Sequence, residues 1–380
     1  MKVCYVTHMP NLTGASQSLL DLLRALEGSE VEPVVLLGRR GPLEDELEKR
    51  GVPFQVIRYA NEIKRDRSRA HSLVKEALNV PAKRKVKAFF KAEGIDLVHN
   101  NSMLVGIGME CAKELNIPYI AHIREYVQED LELELEHPEA QSRLVQQADG
   151  AIAVSEAVAK AGEKKYGAPK SGIRPIYDGI DIGRYLMAAE ERQAPLSGPT
   201  IELLLAGRIA AGKGQLEAAK AVALLNEAEP GRYHLTIAGP VGTPSYAEEL
   251  EAFVASLPDG QVDILPFIDD LRAQRAQTDI ALLCSVSEAM GRVTIESMLA
   301  GCLVVGANGG ATPELLADGR GVLYEPGNVE ALAEAIRKTA AHSPSEVRAV
   351  VERGQQYSAE TFAPEHYAEQ ILELYHEVLS

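Results

Sequence analysis

The sequence has few of the features that mark secreted, membrane-spanning or disulfide-bonded proteins. Its four cysteines, Cys4, Cys111, Cys284 and Cys302, are scattered through mostly apolar segments. Cysteines placed in this way indicate buried thiols in a reducing compartment, and they exclude a disulfide framework. No apolar run approaches the roughly 20 residues that cross a bilayer. The first residues, MKVCYVT, form a strand-like pattern without the apolar core and cleavage site of a secretory signal, so we expect a cytoplasmic protein.

Common metal and catalytic motifs are also missing. No Asp-x-Asp occurs, the Cys and His residues lack metal-ligand spacing, and no Ser lies in a G-x-S-x-G elbow. The acidic run at 129–136 is typical of a solvated helix or loop face rather than of a metal site. We therefore predict that the protein binds no metal ion and needs no cofactor.

The charge balance is acidic, with one exception. A formal net charge of −16 argues against general nucleic-acid binding. In residues 64–91, called the basic segment below, only Asp66 and Glu76 oppose ten cations, which are Lys64, Arg65, Arg67, Arg69, Lys75, Lys83, Arg84, Lys85, Lys87 and Lys91. One interpretation is a solvated helix face. The other is a docking patch for an anionic membrane or a phosphate-bearing acceptor, at about 1 kcal/mol per basic residue near the surface.

Strand-like runs alternate with amphipathic helical patterns along the whole chain. The predicted strands are 3–7, 31–37, 54–58, 97–100, 119–123, 151–155 and 173–177 in the first half, and 201–206, 234–238, 262–265, 280–286, 303–306 and 321–324 in the second. This alternation predicts βαβ units. Strands rich in Val, Ile and Leu with little alternation predict parallel sheets that are covered on both faces.

Length and pattern together predict two domains. A chain of 380 residues exceeds what one hydrophobic core usually supports. We predict an N-terminal domain of residues 1–180, a linker of residues 181–194 and a C-terminal domain of residues 195–356. A last helix, at about 360–380, carries Tyr367, Ile371, Leu374 and Val378 at helical spacing and is expected to pack on the first domain. Doubly wound sheets bind ligands beyond the carboxyl ends of their strands, so two such domains predict a cleft.

The segment 287–297, SEAMGRVTIES, is the most informative stretch of the chain. It follows an apolar strand-like run and places Glu288 in a loop and Glu296 on the first turns of a helix. Backbone amides at 290–294 would lie at the start of that helix, where unpaired N–H groups attract anions. A carboxylate close by suits hydroxyl groups. This combination fits a nucleotide sugar, which carries phosphates between two sets of sugar hydroxyls.

A second cationic loop follows the first strand of the second half. The segment 206–214, AGRIAAGKG, comes within one residue of a phosphate-binding P-loop. Gly214 stands where that loop requires Ser or Thr to hold magnesium, which argues against an NTPase. Arg208 and Lys213 nevertheless place two cations beyond a strand end, where they suit a diphosphate. Solvated surface cations are the alternative.

Three further positions are ambiguous. Gly14, between the first strand and the first helix, would let the backbone approach a ligand, although a plain helix cap explains it almost as well. His122 ends a strand, where doubly wound folds place ligand contacts, although a single His is more often structural. The turn at 309–314, GGATPE, suits either ligand contact or a Gly-rich turn before a helix.

Taken together, these motifs resemble the retaining glycosyltransferases of family 4. Their GT-B architecture has two facing Rossmann-like, doubly wound parallel-sheet domains and a deep interdomain cleft. The E-x7-E segment from Glu288 to Glu296 is the most specific part of the resemblance, which covers nearly the whole chain. Residues 178–181, DGID, resemble the family's Asn-Gly-Val-Asp junction, and 310–314 resembles its Gly-x-Pro-Glu turn.

The resemblance implies a role for each of these residues. It assigns catalysis to Glu288, His122, Arg208 and Lys213, with Glu288 and His122 contacting the donor sugar and the two cations holding the diphosphate. Further donor contacts are implied for Gly14, Ile268, Ala289, Met290, Gly291, Val293, Thr294 and Glu296, with Glu296 on the ribose and the Ile268 backbone on the base. Ala289-Met290-Gly291 replaces the usual Gly-Phe/Leu-Gly, and Thr13-Gly14 replaces the usual paired glycines.

The implied activity is transfer of a hexose-type sugar, with retention, from a nucleotide diphosphate-sugar to an acceptor hydroxyl. UDP is favoured over GDP, and the nucleotide sugar is a co-substrate, not a cofactor. The basic segment, in particular residues 64, 65, 67, 69, 83, 84, 85 and 87, would receive a glycan or lipid-linked acceptor or an anionic membrane in cell-surface polysaccharide or glycolipid synthesis. A nucleotide-sugar epimerase of the same fold and a non-catalytic nucleotide-sugar-binding subunit remain alternatives.

Overall fold

The computed structural model describes residues 1–12, 14–64, 69–127 and 134–380, with the backbone alone for residues 69–72. The chain forms two compact units. Unit 1 comprises Met1–Ile180 and Phe362–Ser380, and unit 2 comprises Asp181–Thr361. Each unit is an α/β body built on its own parallel sheet.

Unit 1 contains a seven-stranded sheet of parallel neighbours in the order β3-β2-β1-β5-β6-β8-β9. Its strands are β1 (Lys2–Thr7), β2 (Glu32–Leu37), β3 (Phe54–Val56), β5 (Leu97–Asn100), β6 (Tyr119–Ile123), β8 (Gly150–Ala153) and β9 (Arg174–Pro175). Its helices are α1 (Gly14–Ala25), α2 (Pro42–Lys49), α3 (Arg69–Glu93), α4 (Ile107–Leu115), α5 (Pro138–Gln146), α6 (Glu156–Tyr166) and the C-terminal α15 (Pro364–Leu379). Central strands are buried along almost their whole length, which explains their unbroken runs of apolar residues.

The C-terminal helix α15 completes the core of unit 1. Tyr367, Ile371, Leu374 and Tyr375 are buried in the same apolar cluster as the side chains of strand β1 and helix α1. The expectation that this helix packs on the first domain is therefore correct. The apolar stripe of α15 is buried against apolar side chains of the N-terminal sheet and of helix α1.

A short antiparallel pair, β4 (Ile63–Lys64) with β7 (Glu134–Leu135), lies outside the main sheet of unit 1. The sequence does not predict this strand pair, because two residues per strand are too few to show a hydrophobic period.

Unit 2 contains a six-stranded parallel sheet in the order β12-β11-β10-β13-β14-β15. The strands are β10 (Ile201–Ala206), β11 (Tyr233–Ala238), β12 (Val262–Leu265), β13 (Ile280–Leu283), β14 (Leu303–Ala307) and β15 (Val322–Tyr324). The helices are α7 (Ile182–Tyr185), α8 (Gln215–Ala228), α9 (Pro244–Val254), α10 (Arg272–Gln277), α11 (Arg292–Leu299), α12 (Thr312–Leu316), α13 (Val329–Ala340) and α14 (Pro344–Thr361). Short 3-10 turns occupy Ala189–Glu191 and Ala211–Lys213.

Every predicted strand exists, and the prediction of two Rossmann-like parallel sheets is confirmed. The predicted linker differs from the structure, because residues 181–194 belong to unit 2. The backbone N–H of Met187 donates to the Leu299 carbonyl at 3.2 Å, and the Arg192 guanidinium donates to the carbonyls of Ala300 and Thr278 at 2.6 Å. An irregular segment can thus be well packed when an arginine binds several carbonyls, which a sequence pattern does not reveal.

Candidate functional site

The loops after strands β10 and β13 form the centre of the candidate site in unit 2. These strands are parallel neighbours in the middle of the sheet, so their carboxyl ends lie side by side. The loop after β10 carries Arg208 and Lys213, and the loop after β13 carries Glu288. The Val286 N–H donates to the Gly212 carbonyl at 3.3 Å, which ties the two loops together.

Gly214 sets how closely these two loops approach. Its φ is +71°, and a Cβ atom built on it would lie 2.5 Å from Cys284 Cβ and 2.6 Å from the Cys284 carbonyl oxygen. A side chain at this position would have to displace the end of strand β13. The Ser or Thr of a P-loop is therefore sterically incompatible with this packing, which gives the missing hydroxyl a structural reason.

The ammonium of Lys213 pairs with the carboxylate of Glu288. Nζ lies 3.1 Å from Oε2, and each side chain keeps 19% of its surface accessible. The two residues assigned separately to diphosphate and to sugar hydroxyls are thus in direct contact. Because both remain partly open to solvent, each retains capacity for a further partner.

The turn after strand β14 holds the backbone of Glu288. The Ala311 N–H donates to the Glu288 carbonyl at 2.7 Å. Gly310 has φ of +55°, and a Cβ there would lie 2.2 Å from the same carbonyl oxygen. A Cβ on Gly309 would lie 2.1 Å from the Val286 carbonyl oxygen. Both glycines are therefore required for backbone packing that fixes the position of Glu288.

Helix α11 begins directly after Gly291, whose φ of +78° places it in the left-handed region. The amides of Met290, Gly291 and Val293 lie at or before the first turn, as the sequence predicts. The Thr294 amide does not fit the expectation of a free donor, since it donates to the Gly291 carbonyl at 2.9 Å. The Thr294 hydroxyl is buried and finds no partner among the residues that the structure describes. The unpaired polar group of Thr294 is therefore its buried hydroxyl and not its amide.

Glu296 pairs with Arg275, a residue that the sequence analysis did not identify. The Arg275 guanidinium is buried and forms an ion pair with Glu296 Oε2. It also lies 5.5 Å from the centre of the Tyr185 ring, in a cation–π arrangement. Helix α10, RAQRAQ, is short and has no large apolar residue, so its sequence does not distinguish Arg275 from a surface cation. The pair orients the carboxylate that the family resemblance assigns to ribose.

Arg208, Ile268 and Ala289 complete the predicted donor set in unit 2. Arg208 is exposed, and its stem passes so close to Gly242 that a Cβ there would lie 2.5 Å from Arg208 Cγ. The Gln215 side-chain amide donates to the Arg208 carbonyl at 3.0 Å. Ile268 is half-buried and follows edge strand β12, while Ala289 is buried beside Glu288.

In unit 1, His122 lies in a chain of buried polar groups. Its Nδ1 is 2.9 Å from His99 Nε2, and His99 Nδ1 is 2.7 Å from the Tyr375 hydroxyl. Burial, aided by the Arg124 cation, lowers the pKa of His99 to about 3 and the pKa of His122 well below its usual value. Both rings are therefore neutral at physiological pH.

Two other predicted motifs of unit 1 have different environments. Gly14 opens helix α1 with φ of +31°, and no atom lies within 4 Å of a Cβ built on it. Asp178, of the DGID segment, is buried and accepts two hydrogen bonds from Arg124 at 2.6 and 2.7 Å. The Tyr367 hydroxyl donates to Asp178 Oδ1 at 3.0 Å. This part of the junction motif thus anchors helix α15.

The basic segment includes the end of strand β4 and most of helix α3, and acidic side chains neutralise four of its lysines. The pairs are Lys64–Glu134 at 3.0 Å, Lys75–Glu136 at 3.0 Å, Lys83–Glu110 at 2.8 Å and Lys87–Glu114 at 2.5 Å. Arg84 and Lys85 are exposed. Arg65 and Arg67 lie outside the described residues, as does the side chain of Arg69. The partners come from residues distant in sequence, so the local charge count overstated the free positive charge.

The described residues include neither a cluster of metal-binding side chains nor a helix that could span a membrane. No group of three or more His, Cys, Asp or Glu side chains could hold a metal ion. None of the described helices combines the length and apolar character needed to traverse a bilayer.

Comparison with known proteins decides the family. The model for glycosyltransferase family 4 matches residues 12–184, and the model for glycosyl transferases group 1 matches residues 200–342. The chain belongs to glycosyltransferase family 4. Among its relatives is the alpha-maltose-1-phosphate synthase of Mycolicibacterium smegmatis, 30% identical over 62% of this chain and 64% of that protein. Another is the D-inositol 3-phosphate glycosyltransferase of Saccharomonospora viridis, 24% identical over 78% of this chain and 73% of that protein.

Solved structures share the fold over the full chain. Anabaena HepE in complex with UDP and glucose superposes with a TM-score of 0.80 and 22% identity, covering 99% of both chains. A glycosyltransferase from Rickettsia africae superposes with a TM-score of 0.79 and 17% identity, covering 100% of this chain and 98% of that one. Identities this low establish the shared fold and leave substrates to be argued from the site.

Proposed function

We propose that this family 4 protein transfers a hexose-type sugar from a nucleotide diphosphate-sugar to an acceptor hydroxyl, with retention of anomeric configuration. The contact between Lys213 and Glu288 carries the proposal. It brings a cation suited to phosphate and a carboxylate suited to sugar hydroxyls within one hydrogen bond of each other, beside the start of helix α11. A sugar esterified to a diphosphate presents those two chemistries on adjacent atoms.

The donor would be held by charge and backbone dipoles. Arg208 and Lys213 supply positive charge to the diphosphate, and the first amides of α11 add N–H donors. Glu288 accepts from hydroxyls of the sugar, and Glu296, oriented by Arg275, accepts from the ribose hydroxyls. The Ile268 backbone meets the base. His122 supplies a further contact to the donor sugar.

Catalysis would rest on positioning and on stabilisation of the leaving diphosphate. When the bond between the anomeric carbon and the phosphate oxygen breaks, negative charge develops on the diphosphate, where Arg208 and Lys213 offset it. Glu288 is paired with Lys213 and is assigned to positioning rather than to covalent attack. The acceptor hydroxyl would approach the same face as the departing diphosphate, bond to the anomeric carbon and give its proton to the departing phosphate oxygen, which gives retention. These cations replace a metal, so we propose metal-independent transfer.

UDP-sugars are the favoured donors, with GDP-sugars second. The shared fold with HepE, which was crystallised with UDP, with UDP and glucose, and with UDP-glucose, supports this order. Thermal unfolding in the presence of UDP-, GDP-, ADP- and TDP-sugars tests it, because a ligand at a hundred times its Kd adds about 2.7 kcal/mol of stability. Lys213→Ala should abolish the stabilisation by the best donor. Equal stabilisation of this variant would contradict the assignment.

A turnover assay with the best donor separates the candidate activities. Transfer to an acceptor with unchanged anomeric configuration, insensitive to a metal chelator, supports the proposal. Conversion of the donor to an isomer without an acceptor would instead identify an epimerase. Donor binding without turnover against any acceptor offered would indicate a non-catalytic binding subunit.

We further propose that helix α3 contacts an anionic membrane that carries a lipid-linked acceptor for cell-surface polysaccharide or glycolipid synthesis. Leu73, Val74 and Val80 are exposed on this helix by 62%, 67% and 57%. Leu73, Val80 and Arg84 are spaced by seven and four residues, which places them along one side of the helix. Exposed apolar side chains beside the exposed cations Arg84 and Lys85 suit an interfacial helix.

Co-sedimentation with vesicles of increasing anionic lipid content tests the membrane contact. The double variant Arg84→Glu/Lys85→Glu should lose most of the binding. Lys164→Glu/Lys165→Glu is the matched control, because it makes the same charge change at two exposed lysines of helix α6. Binding that does not depend on anionic lipid, or that both double variants reduce equally, would remove this part of the proposal.

A further inference from the structure

Four buried polar groups of unit 1 are joined in a row. His122 Nδ1 is 2.9 Å from His99 Nε2, His99 Nδ1 is 2.7 Å from the Tyr375 hydroxyl, and that hydroxyl donates to the Tyr5 hydroxyl at 3.1 Å. We call this row the histidine relay. It runs from strand β6 through β5 to helix α15 and strand β1, and each of its four side chains is fully buried.

The direction of one hydrogen bond in the relay fixes the others. Tyr375 has a single hydroxyl proton and donates it to Tyr5, so it accepts a proton from His99 Nδ1. A neutral imidazole carries one proton, so His99 Nε2 is then an acceptor and takes a hydrogen bond from His122 Nδ1. His122 therefore holds its proton on Nδ1.

The far nitrogen of His122 is thereby left as an acceptor. Nε2 is buried and has no hydrogen-bond partner among the described residues. A buried polar atom of this kind costs free energy unless something binds it. An acceptor nitrogen pairs with a donor, and a sugar offers hydroxyl donors.

We infer that His99 and Tyr375 are positioning residues that hold His122 in the tautomer protonated on Nδ1, which leaves Nε2 to accept a hydrogen bond from a hydroxyl of the donor sugar. The sugar contact rests on the proposed transferase function, whereas the tautomer does not. The relay also gives the C-terminal helix a role besides packing, since Tyr375 is its only described residue hydrogen-bonded to either histidine.

Nitrogen-15 NMR of the histidine-labelled full chain tests the tautomer directly. Protonated and unprotonated ring nitrogens resonate far apart, and the His122 signals are assigned by their loss in His122→Asn. We expect His122 with a protonated Nδ1 and an unprotonated Nε2. Tyr375→Phe removes the acceptor of the His99 proton, so the His122 signals should move towards a mixture of both tautomers.

A matched variant separates this effect from simple loss of a buried hydroxyl. Tyr119→Phe deletes a hydroxyl that donates to the Leu144 carbonyl at 2.8 Å in the same unit, outside the relay. Its His122 signals should equal those of the wild type. The kcat/KM for the donor should fall roughly three- to tenfold in Tyr375→Phe, which is the loss expected for one weakened hydrogen bond. It should stay unchanged in Tyr119→Phe.

The outcomes distinguish this inference from the proposed function. A wild-type His122 protonated on Nε2, or His122 signals that Tyr375→Phe leaves in place, would overturn the relay even if transfer occurs. The expected tautomer in a protein that transfers no sugar would leave the positioning intact and refute the transferase.

Discussion

The two units share one sheet topology and differ in the chemistry at their strand ends. When the main strands are numbered in chain order within each unit, both sheets follow the arrangement 3-2-1-4-5-6, with a seventh strand added in unit 1. In unit 2 two ion pairs lie beyond the strands, Lys213–Glu288 between two loops and Arg275–Glu296 between helices α10 and α11. In unit 1 the polar groups near the strand ends are the neutral relay and the fully buried pair Arg124–Asp178.

This difference indicates that the same strand order places side chains at equivalent sheet ends in both units. The chemistry and burial of those side chains then determine whether they can bind a ligand. The carboxylates of unit 2 remain partly accessible, as a group that binds a polar ligand requires. The Arg124–Asp178 pair of unit 1 is only 4% and 2% accessible, and the Tyr367 hydroxyl of helix α15 donates a further hydrogen bond to the Asp178 carboxylate. A pair this deeply buried suits anchoring, because a polar ligand in solvent does not reach it.

The largest expected effect is on the stability of unit 2. Arg275→Ala leaves the Glu296 carboxylate mostly buried without its counter-ion, which should cost about 4 kcal/mol of unfolding free energy. Arg272→Ala on the same helix removes an ion pair to Glu191 that solvent screens, so the unfolding midpoint should hardly change. Urea unfolding of both variants measures the difference. Similar losses in the two would mean that Arg275 is not a special partner of Glu296.

Lowering the pH should decrease the stability of unit 1 and increase the stability of unit 2. Burial lowers the pKa of three unit 1 histidines below the usual 6.5, and these are His8, His99 and His122. Their unfolded forms take up protons first as the pH falls, so unit 1 should lose about 1 kcal/mol for each between pH 6.5 and 5.5. His137 offsets part of this loss, because burial opposes its protonation but Glu62 and Glu76 outweigh that effect and raise its pKa. In unit 2, burial opposes protonation of His234, but Glu202 and Asp263 outweigh it and raise its pKa. The contacts of His234 with Glu202 and Asp263 therefore stabilise unit 2 below the usual histidine pKa of 6.5. They weaken as the pH rises through the raised pKa of His234.

Hydrogen exchange followed by mass spectrometry resolves the two units in one experiment. Peptides of unit 1 should lose protection at pH 5.5 relative to those of unit 2, after correction for intrinsic exchange. If unit 2 opens first, the contrast between neutral and charged polar groups is not what governs acid sensitivity.

A smaller effect is expected on turnover. Lys213→Ala and Arg208→Ala each remove a charge-assisted contact worth about 3 kcal/mol, so transfer should slow roughly a hundredfold. Lys220→Ala is the control, because this exposed lysine lies in the same unit on helix α8, against Phe253. The ratio kcat/KM for the donor measures the effect. Unchanged transfer in both test variants would remove the diphosphate role.

The smallest effect tests loop packing. Gly214→Ala places a Cβ against Cys284 at a φ of +71° and should cost about 2 kcal/mol. Gly212→Ala, two residues earlier in the loop, meets no atom within 4 Å and should be tolerated. Thermal unfolding compares them. Equal stability of the two variants would show that the loops can separate without loss.

The fold followed from the sequence to within a few residues. Most strands of the two large sheets contain a run of apolar residues rich in Val, Ile and Leu, since buried parallel strands leave no polar alternation. The strand pair β4 and β7 could not be predicted from the sequence, because each strand has only two residues. The sequence predicts a linker at 181–194, because the hydrogen bonds that Arg192 makes to unit 2 are not visible in any local pattern.

The candidate site was predicted in part. Glu288, Lys213 and Glu296 stood out through their motifs, yet nothing in the sequence indicated that the first two touch or that Arg275 binds the third. The basic segment was overestimated for a similar reason. Its glutamate partners follow dozens of residues later, and only folding brings them to helix α3.

The sequence by itself determined the family, the two parallel sheets and the candidate donor residues, because local periodicity and short motifs encode them. Only the tertiary structure decided which charges neutralise each other, which glycines hold loops together and that a helix at the far end of the chain reaches His99. Those outcomes depend on contacts between residues tens to hundreds of positions apart. Ion pairing and close packing are set by distance in space, which a linear pattern does not contain.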